Sequence, residues 1–170
     1  MNPPGQPQLK LIAPPPVLYV GAFLFGWAIH AVSPMWISPT AFVPRMVGGF
    51  LLVLSAAFAR WAFVTLRRWG TSASPKQPAQ VLATGGPFQY SRNPIYLAMT
   101  GLYLGLACLL NAFWPLILLV LLLLLMDWGV IRREEHYLAA TFGETYTAYQ
   151  SKVRRWLCVP PFHRPAGTGQ

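Results

Sequence analysis

Charge is scarce in this chain. Of 170 residues, 10% are charged and 55% are hydrophobic, and the acids number only four: Asp127, Glu134, Glu135 and Glu144. A soluble domain carries roughly a quarter charged residues, so the composition excludes an ordinary water-soluble fold. Cysteine is nearly absent as well. Cys108 lies in an apolar run and Cys158 near the tail, with no motif spacing, which argues against a disulfide framework or a thiolate metal site. His30, His136 and His163 are scattered, which argues against a metal enzyme. The 13 Lys and Arg give a formal charge of +9 without any basic fold signature for nucleic acid. Their excess is read as topogenic, because Lys and Arg collect on the cytoplasmic side of membrane proteins.

What the chain does have is a set of apolar runs of membrane-spanning length. At 170 residues there is room for one small helical bundle. The opening MNPPGQPQLKLIAPPP is too rich in proline for a helix interior, so 1–16 is expected to be disordered. The run 17–37 is long for a signal-peptide core and lacks a small-residue cleavage site; it reads as a retained first span with His30 as a packing residue. A proline-rich turn follows, with Trp36 suited to a membrane interface. The second span covers 41–66, with Arg60 snorkelling toward the headgroups near its charged end. The stretch 70–86 is a polar loop of turn formers.

From 94 to 126 the sequence is almost continuously apolar. One helix of that length would reach about 50 Å at 1.5 Å per residue, well beyond a hydrocarbon core of about 30 Å. The interruption LLNAFWP therefore predicts a hairpin of two spans, 94–110 and 112–130, turning near Asn111. Arg67, Arg68, Lys76 and Arg92 precede the hairpin, and Arg132, Arg133, Lys152, Arg154 and Arg155 follow it, while its turn is uncharged. Four spans with both termini and the middle loop in the cytoplasm satisfy the positive-inside rule. Beyond them, Leu138, Phe142, Tyr146 (or Tyr149), Val153 and Trp156 recur at near-helical spacing, predicting an amphipathic interfacial segment over 132–153, with Gly143 a candidate break. A flexible tail is expected over 158–170. The expected fold is thus all-α: an integral membrane four-helix bundle with a C-terminal amphipathic cytoplasmic helix.

A hairpin brings its two ends together. It sets QYSRNPIY, with Tyr90, Arg92, Asn93 and Tyr96, opposite RREE, which holds half of the acids. These groups read either as the walls of a cytoplasm-facing pocket or as interfacial anchors and a solvated charge run, and the residues alone leave the two level. The adjacent Glu134 and Glu135 gain little from each other at a bare interface, whereas a cationic ligand would make the pair useful.

Two stretches, TGGPFQYSRNPIYLAMTGLYLG and IRREEHYLAATFGETYTAYQSKVRRW, resemble the isoprenylcysteine carboxyl methyltransferase family and its wider relatives, the phospholipid N-methyltransferases. The shared pattern is a Gly-Pro-aromatic turn, Arg-His/Asn-Pro-x-Tyr-x-Gly, an apolar hairpin, then Glu-Glu-x-x-Leu-x-x-x-Phe-Gly-x-x-Tyr-x-x-Tyr. It covers roughly 84–156. The resemblance implies a membrane-embedded methyltransferase domain over 17–157 that uses S-adenosylmethionine and acts on a lipophilic acceptor bearing a carboxylate, thiol or amine. It implies cofactor contacts from Tyr90, Arg92, Asn93, Pro94 and Tyr96 on one wall and Glu134 and Glu135 on the other, with Tyr146 and Tyr149 closing over them. Arg92 and Glu135 are the candidate catalytic or cofactor-orienting groups. The chain departs from the family at Asn93, where histidine is usual, at Ala98, where glycine is common, and in VRRWLCVP, which replaces a Val-Pro-Arg order. Two other readings remain. Membrane sterol reductases share an Arg-x-Pro-x-Tyr stretch and use NADPH, though theirs usually continues with an acid where YLAMTG is apolar. A non-catalytic membrane scaffold could also keep this architecture.

Overall fold

Proline, asparagine and glycine set the limits of the helices. The computed structural model describes residues 12–71 and 81–157, so most of the Pro-rich opening, the centre of the polar loop and the tail lie outside the described residues. Helix α1 (Pro15–Val32) carries proline in its first turn, where the missing N–H leaves no helical bond unmade. It stops before the expected position 37 because Ser33 precedes Pro34, and a residue before proline is pushed out of the helical region. Helix α2 (Phe42–Arg68) runs slightly past the expected 66.

The apolar run does break in two, into α3 (Pro94–Leu109) and α4 (Trp114–Met126). At the turn Asn111 adopts φ +52, a left-handed conformation that asparagine tolerates better than most residues. Its side chain then clasps the α1–α2 connection. Oδ1 accepts from Ser38 N at 3.1 Å and Nδ2 donates to Ser38 O at 2.9 Å. Phe113 N donates to Met35 O at 2.9 Å, and Trp36 and Ala112 form an isolated antiparallel bridge. His30 is buried beside this clasp, stacked 5.6 Å from Trp27 and edge-on to Trp36 at 4.8 Å, and its Nδ1 accepts from Met35 N. It packs.

Helix α4 continues without a stop through a wide π turn (Asp127–Ile131) into α5 (Arg132–Phe142). Gly143 then separates α5 from α6 (Glu144–Lys152), so the expected amphipathic segment is two helices rather than one. Gly143 has φ +54 and ψ −127, a backbone region that only glycine enters without strain. Leu138, Phe142, Tyr146, Tyr149 and Val153 do meet in one apolar cluster, joined by Leu82 of the incoming loop.

Helices α2 and α3 pack antiparallel through small residues. Gly48 faces Gly105 and Leu109 so closely that a Cβ at Gly48 would stand 2.6 Å from the Gly105 carbonyl oxygen, and Gly101 packs against Ser55. Close backbone approach of this kind is how helices associate in lipid, where apolar burial gives no drive. Ala98 sits where glycine is common in the resembling family; the closest approach is made one and two turns further on instead. Helix α1 packs on α4, with Gly26 against Pro115. Among the described residues, three helices are long and apolar enough to cross a membrane, Pro15–Val32, Phe42–Arg68 and the continuous Trp114–Phe142, and α3 is a shorter apolar helix. The protein is an all-helical membrane protein.

Candidate functional site

The end of the molecule remote from the Asn111 turn gathers the polar motifs. A short 3-10 turn (Gly86–Gln89) enters it, with Gly86 at φ +61 pressed against Thr65 of α2. Ser91 is fully buried, and its Oγ accepts from Asn93 N at 3.0 Å. Asn93 then leads into Pro94, the first residue of α3. That local fold leaves Arg92 inside the protein, its side chain only 12% exposed.

Between the ends of α2 and α3 and helices α5 and α6 lies an open cleft of about 200 Å³. Arg92, Asn93, Pro94, Tyr96, Glu134, Tyr146 and Tyr149 all line it, so seven of the nine sequence-selected residues meet there. Tyr96 Oη donates to Glu134 Oε1 at 2.6 Å across the hairpin. Tyr149 Oη donates to Phe88 O, also at 2.6 Å, fixing α6 to the entering turn. Glu135 is not on the cleft surface. It stands behind Arg92, 3.1 Å from one guanidinium nitrogen, and it also holds Arg155. Tyr90 is the outlier: it is exposed, does not line the cleft, and sets its ring 6.0 Å from that of Trp61 in α2.

Burial dominates the electrostatics of the α6 wall. The Tyr146 phenol is pushed up to about 12, mainly by burial and further by the Glu135 charge, with Arg92 pulling the other way. Burial also raises Tyr149, helped by neighbouring Tyr146. Both phenols stay neutral at physiological pH. One donor is left over: the buried Nε of Arg92 has no hydrogen-bond partner among the described residues. An unpaired donor on a buried cation costs about 1–3 kcal/mol or more, and an anionic ligand group in the cleft would relieve it.

Sequence reasoning missed Ser91, Asp127, Phe88 and Arg155. Asp127 did carry a signal, as an acid closing a leucine run, where an ionisable residue points to function and to a partner. That partner is Arg155, at 2.7 Å. Nothing in the local sequence pairs them.

The cleft of this helical membrane protein thus combines a buried arginine, the Glu134 carboxylate and the tilted ring pair of Tyr146 and Tyr149, with Glu135 behind the arginine. The phospholipid methyltransferase family model matches residues 43–145. The chain belongs to that family, within the isoprenylcysteine carboxyl methyltransferase-like group of membrane methyltransferases. The match ends just before Tyr146. An uncharacterized protein of Haemophilus influenzae is 39% identical over 64 residues, covering 33% of this chain and 100% of that protein. The match is to methyltransferases, and the sterol-reductase alternative is not favoured.

Proposed function

We propose that the protein transfers a methyl group from S-adenosylmethionine to a lipophilic acceptor at the cytoplasmic face of the membrane. The observation that carries this reading is the buried, unpartnered Nε of Arg92 in a cleft that also offers a carboxylate and aromatic faces. The donor set fits the cofactor: a guanidinium for its carboxylate, Glu134 for its ammonium or sulfonium charge, and Phe88, Tyr146 and Tyr149 for its purine. Clefts that hold a whole ligand of drug size usually run to about 300–1,000 Å³. The described cleft, at about 200 Å³, fits part of such a molecule, and Thr71 and Val81 are among the residues that line it.

When bound, S-adenosylmethionine supplies an electrophilic methyl group on a sulfonium. The protein's own part is alignment and exclusion of water. Arg92 binds and orients, Glu135 fixes Arg92 from behind, and the neutral phenols of α6 wall the cleft from solvent. Aligning reactants in this way can account for several kcal/mol of barrier lowering. The acceptor presents a carboxylate, thiol or amine, and its apolar body stays in the bilayer beside the cleft.

The distribution of basic residues supports the cytoplasmic placement, within a proposed four-span topology that has both termini inside. Arg67, Arg68, Arg92, Arg132, Arg133, Lys152, Arg154 and Arg155 belong to the cleft end, whereas Arg45 lies toward the Asn111 end. Calorimetry on the purified protein tests the cofactor. Binding of S-adenosylhomocysteine but not NADPH supports methyl transfer; NADPH alone would make it a reductase, and neither a scaffold. Labelled methyl donor incubated with a membrane extract then identifies the acceptor.

A further inference from the structure

The segment that leaves α6 is held by polar contacts to three separate parts of the chain. Its carbonyls serve the loop ahead of α3. Arg92 N donates to Arg154 O at 3.1 Å, while Arg155 O accepts from Ser91 Oγ at 3.2 Å and from Asn93 Nδ2 at 3.1 Å. The Arg155 guanidinium adds a fork onto Glu135 of α5, at 3.0 and 2.6 Å, and its remaining nitrogen reaches Asp127 of the π turn at 2.7 Å. Asp127 also accepts from Arg132 at 3.2 Å. Forked arginine–carboxylate pairs fix geometry as well as adding energy.

Helix α6 hangs between this segment and Gly143, whose backbone acts as a joint. It carries Tyr146 and Tyr149, one wall of the cleft. Glu135 is shared between Arg155 and the cleft residue Arg92. Neither Asp127 nor Arg155 lines the cleft.

We propose that Asp127 and Arg155 are positioning residues: as a clamp on the segment after α6, they hold the tyrosine wall against the start of α3 and keep Glu135 in place behind Arg92. The inference rests on reading the cleft as the methyl-donor site.

The test compares Asp127→Asn, Arg155→Gln, the double variant and Arg155→Lys with the unaltered protein in detergent. Amide exchange on the ligand-free protein reads the clamp directly. Exchange at the Arg92 amide and through α6 should rise several-fold in each single variant, while the α2–α3 amides stay protected and show that the bundle is folded. Binding of S-adenosylhomocysteine should weaken about fivefold. Label transfer from saturating S-adenosylmethionine to a membrane lipid extract should stay within about twofold, a KM effect without a kcat effect. The double variant should be no worse than the poorer single one, because Asp127 acts on the clamp through Arg155. Arg155→Lys should fall between, since lysine restores charge but not the fork. Unchanged exchange at Arg92 and α6, or additive losses in the double variant, would overturn the clamp. If the unaltered protein binds no S-adenosylhomocysteine, the cofactor reading fails instead, and exchange still decides whether the clamp exists.

Discussion

Two adjacent glycines in α2 allow a matched experiment on how the bundle is held. A Cβ added at Gly48 would stand 2.5 Å from Leu109 N, 2.6 Å from Gly105 O and 2.9 Å from Leu109 Cα. All three are backbone atoms, so no rotamer change relieves the clash and the helices must separate. At Gly49 the same methyl meets nothing within 4 Å. Each Gly→Ala change gains about 0.5–1 kcal/mol from the stiffer helix, and that term cancels in the comparison. What remains is the cost of overpacking, about 1–3 kcal/mol. Gly48→Ala should therefore be less stable than Gly49→Ala by that amount, and Gly49→Ala no less stable than the unaltered protein. Unfolding followed by circular dichroism in mixed detergent micelles, titrated with a denaturing detergent, measures the contrast. Coincident transitions for the two variants would refute the close α2–α3 contact. Because α3 carries Pro94 and Tyr96 into the cleft, Gly48→Ala alone should also weaken binding of the methyl donor.

Three other outcomes are expected. Asn111→Gly keeps the positive φ but removes both side-chain bonds to Ser38, so it should cost about 1–3 kcal/mol; Asn111→Ala adds backbone strain and should unfold at still lower denaturant. Arg92→Ala and Glu135→Ala should each reduce donor binding or turnover at least about tenfold, the scale of a lost charge-assisted contact, and near-normal values for both by calorimetry and label transfer would remove the site assignment. The raised Tyr146 phenol contributes stability that is complete below its ordinary pKa near 10 and lost as pH climbs toward about 12; a tyrosinate absorbance difference between the unaltered protein and Tyr146→Phe should show one phenol ionising near that upper value.

Breaks in the sequence were the most readable part of the fold. Asn111 and Gly143 stand where a left-handed or otherwise strained backbone is needed, and few residue types allow that, so the hairpin turn and the split of the last segment could be located in advance. Proline was read less well at the end of α1, where Pro34 ends the helix while the apolar run continues to Ile37. For the cleft, the two family motifs brought together Arg92, Asn93, Pro94, Tyr96, Glu134, Tyr146 and Tyr149. Glu135 was placed correctly beside Arg92 but not on the cleft surface, because adjacent helical residues face different directions. Arg155 and Asp127 are 28 residues apart, and Ser91 acts through a carbonyl 64 residues away. Separations like these leave no periodic trace and emerge only when the chain is folded.

A regular α-helix advances about 100° in bearing per residue, and the π turn at Asp127–Ile131 absorbs one residue more than that winding allows. Were this stretch to wind normally, everything from Arg132 onward would swing about a quarter of a circle round the axis. Glu134 would lose sight of Tyr96, and Glu135 of both its arginines. The bearing of the two acids is thus set upstream, by a single supernumerary residue in the helix, so shortening the chain by one position inside 128–131, which spares Asp127, should be absorbed where the same deletion within α5 would not.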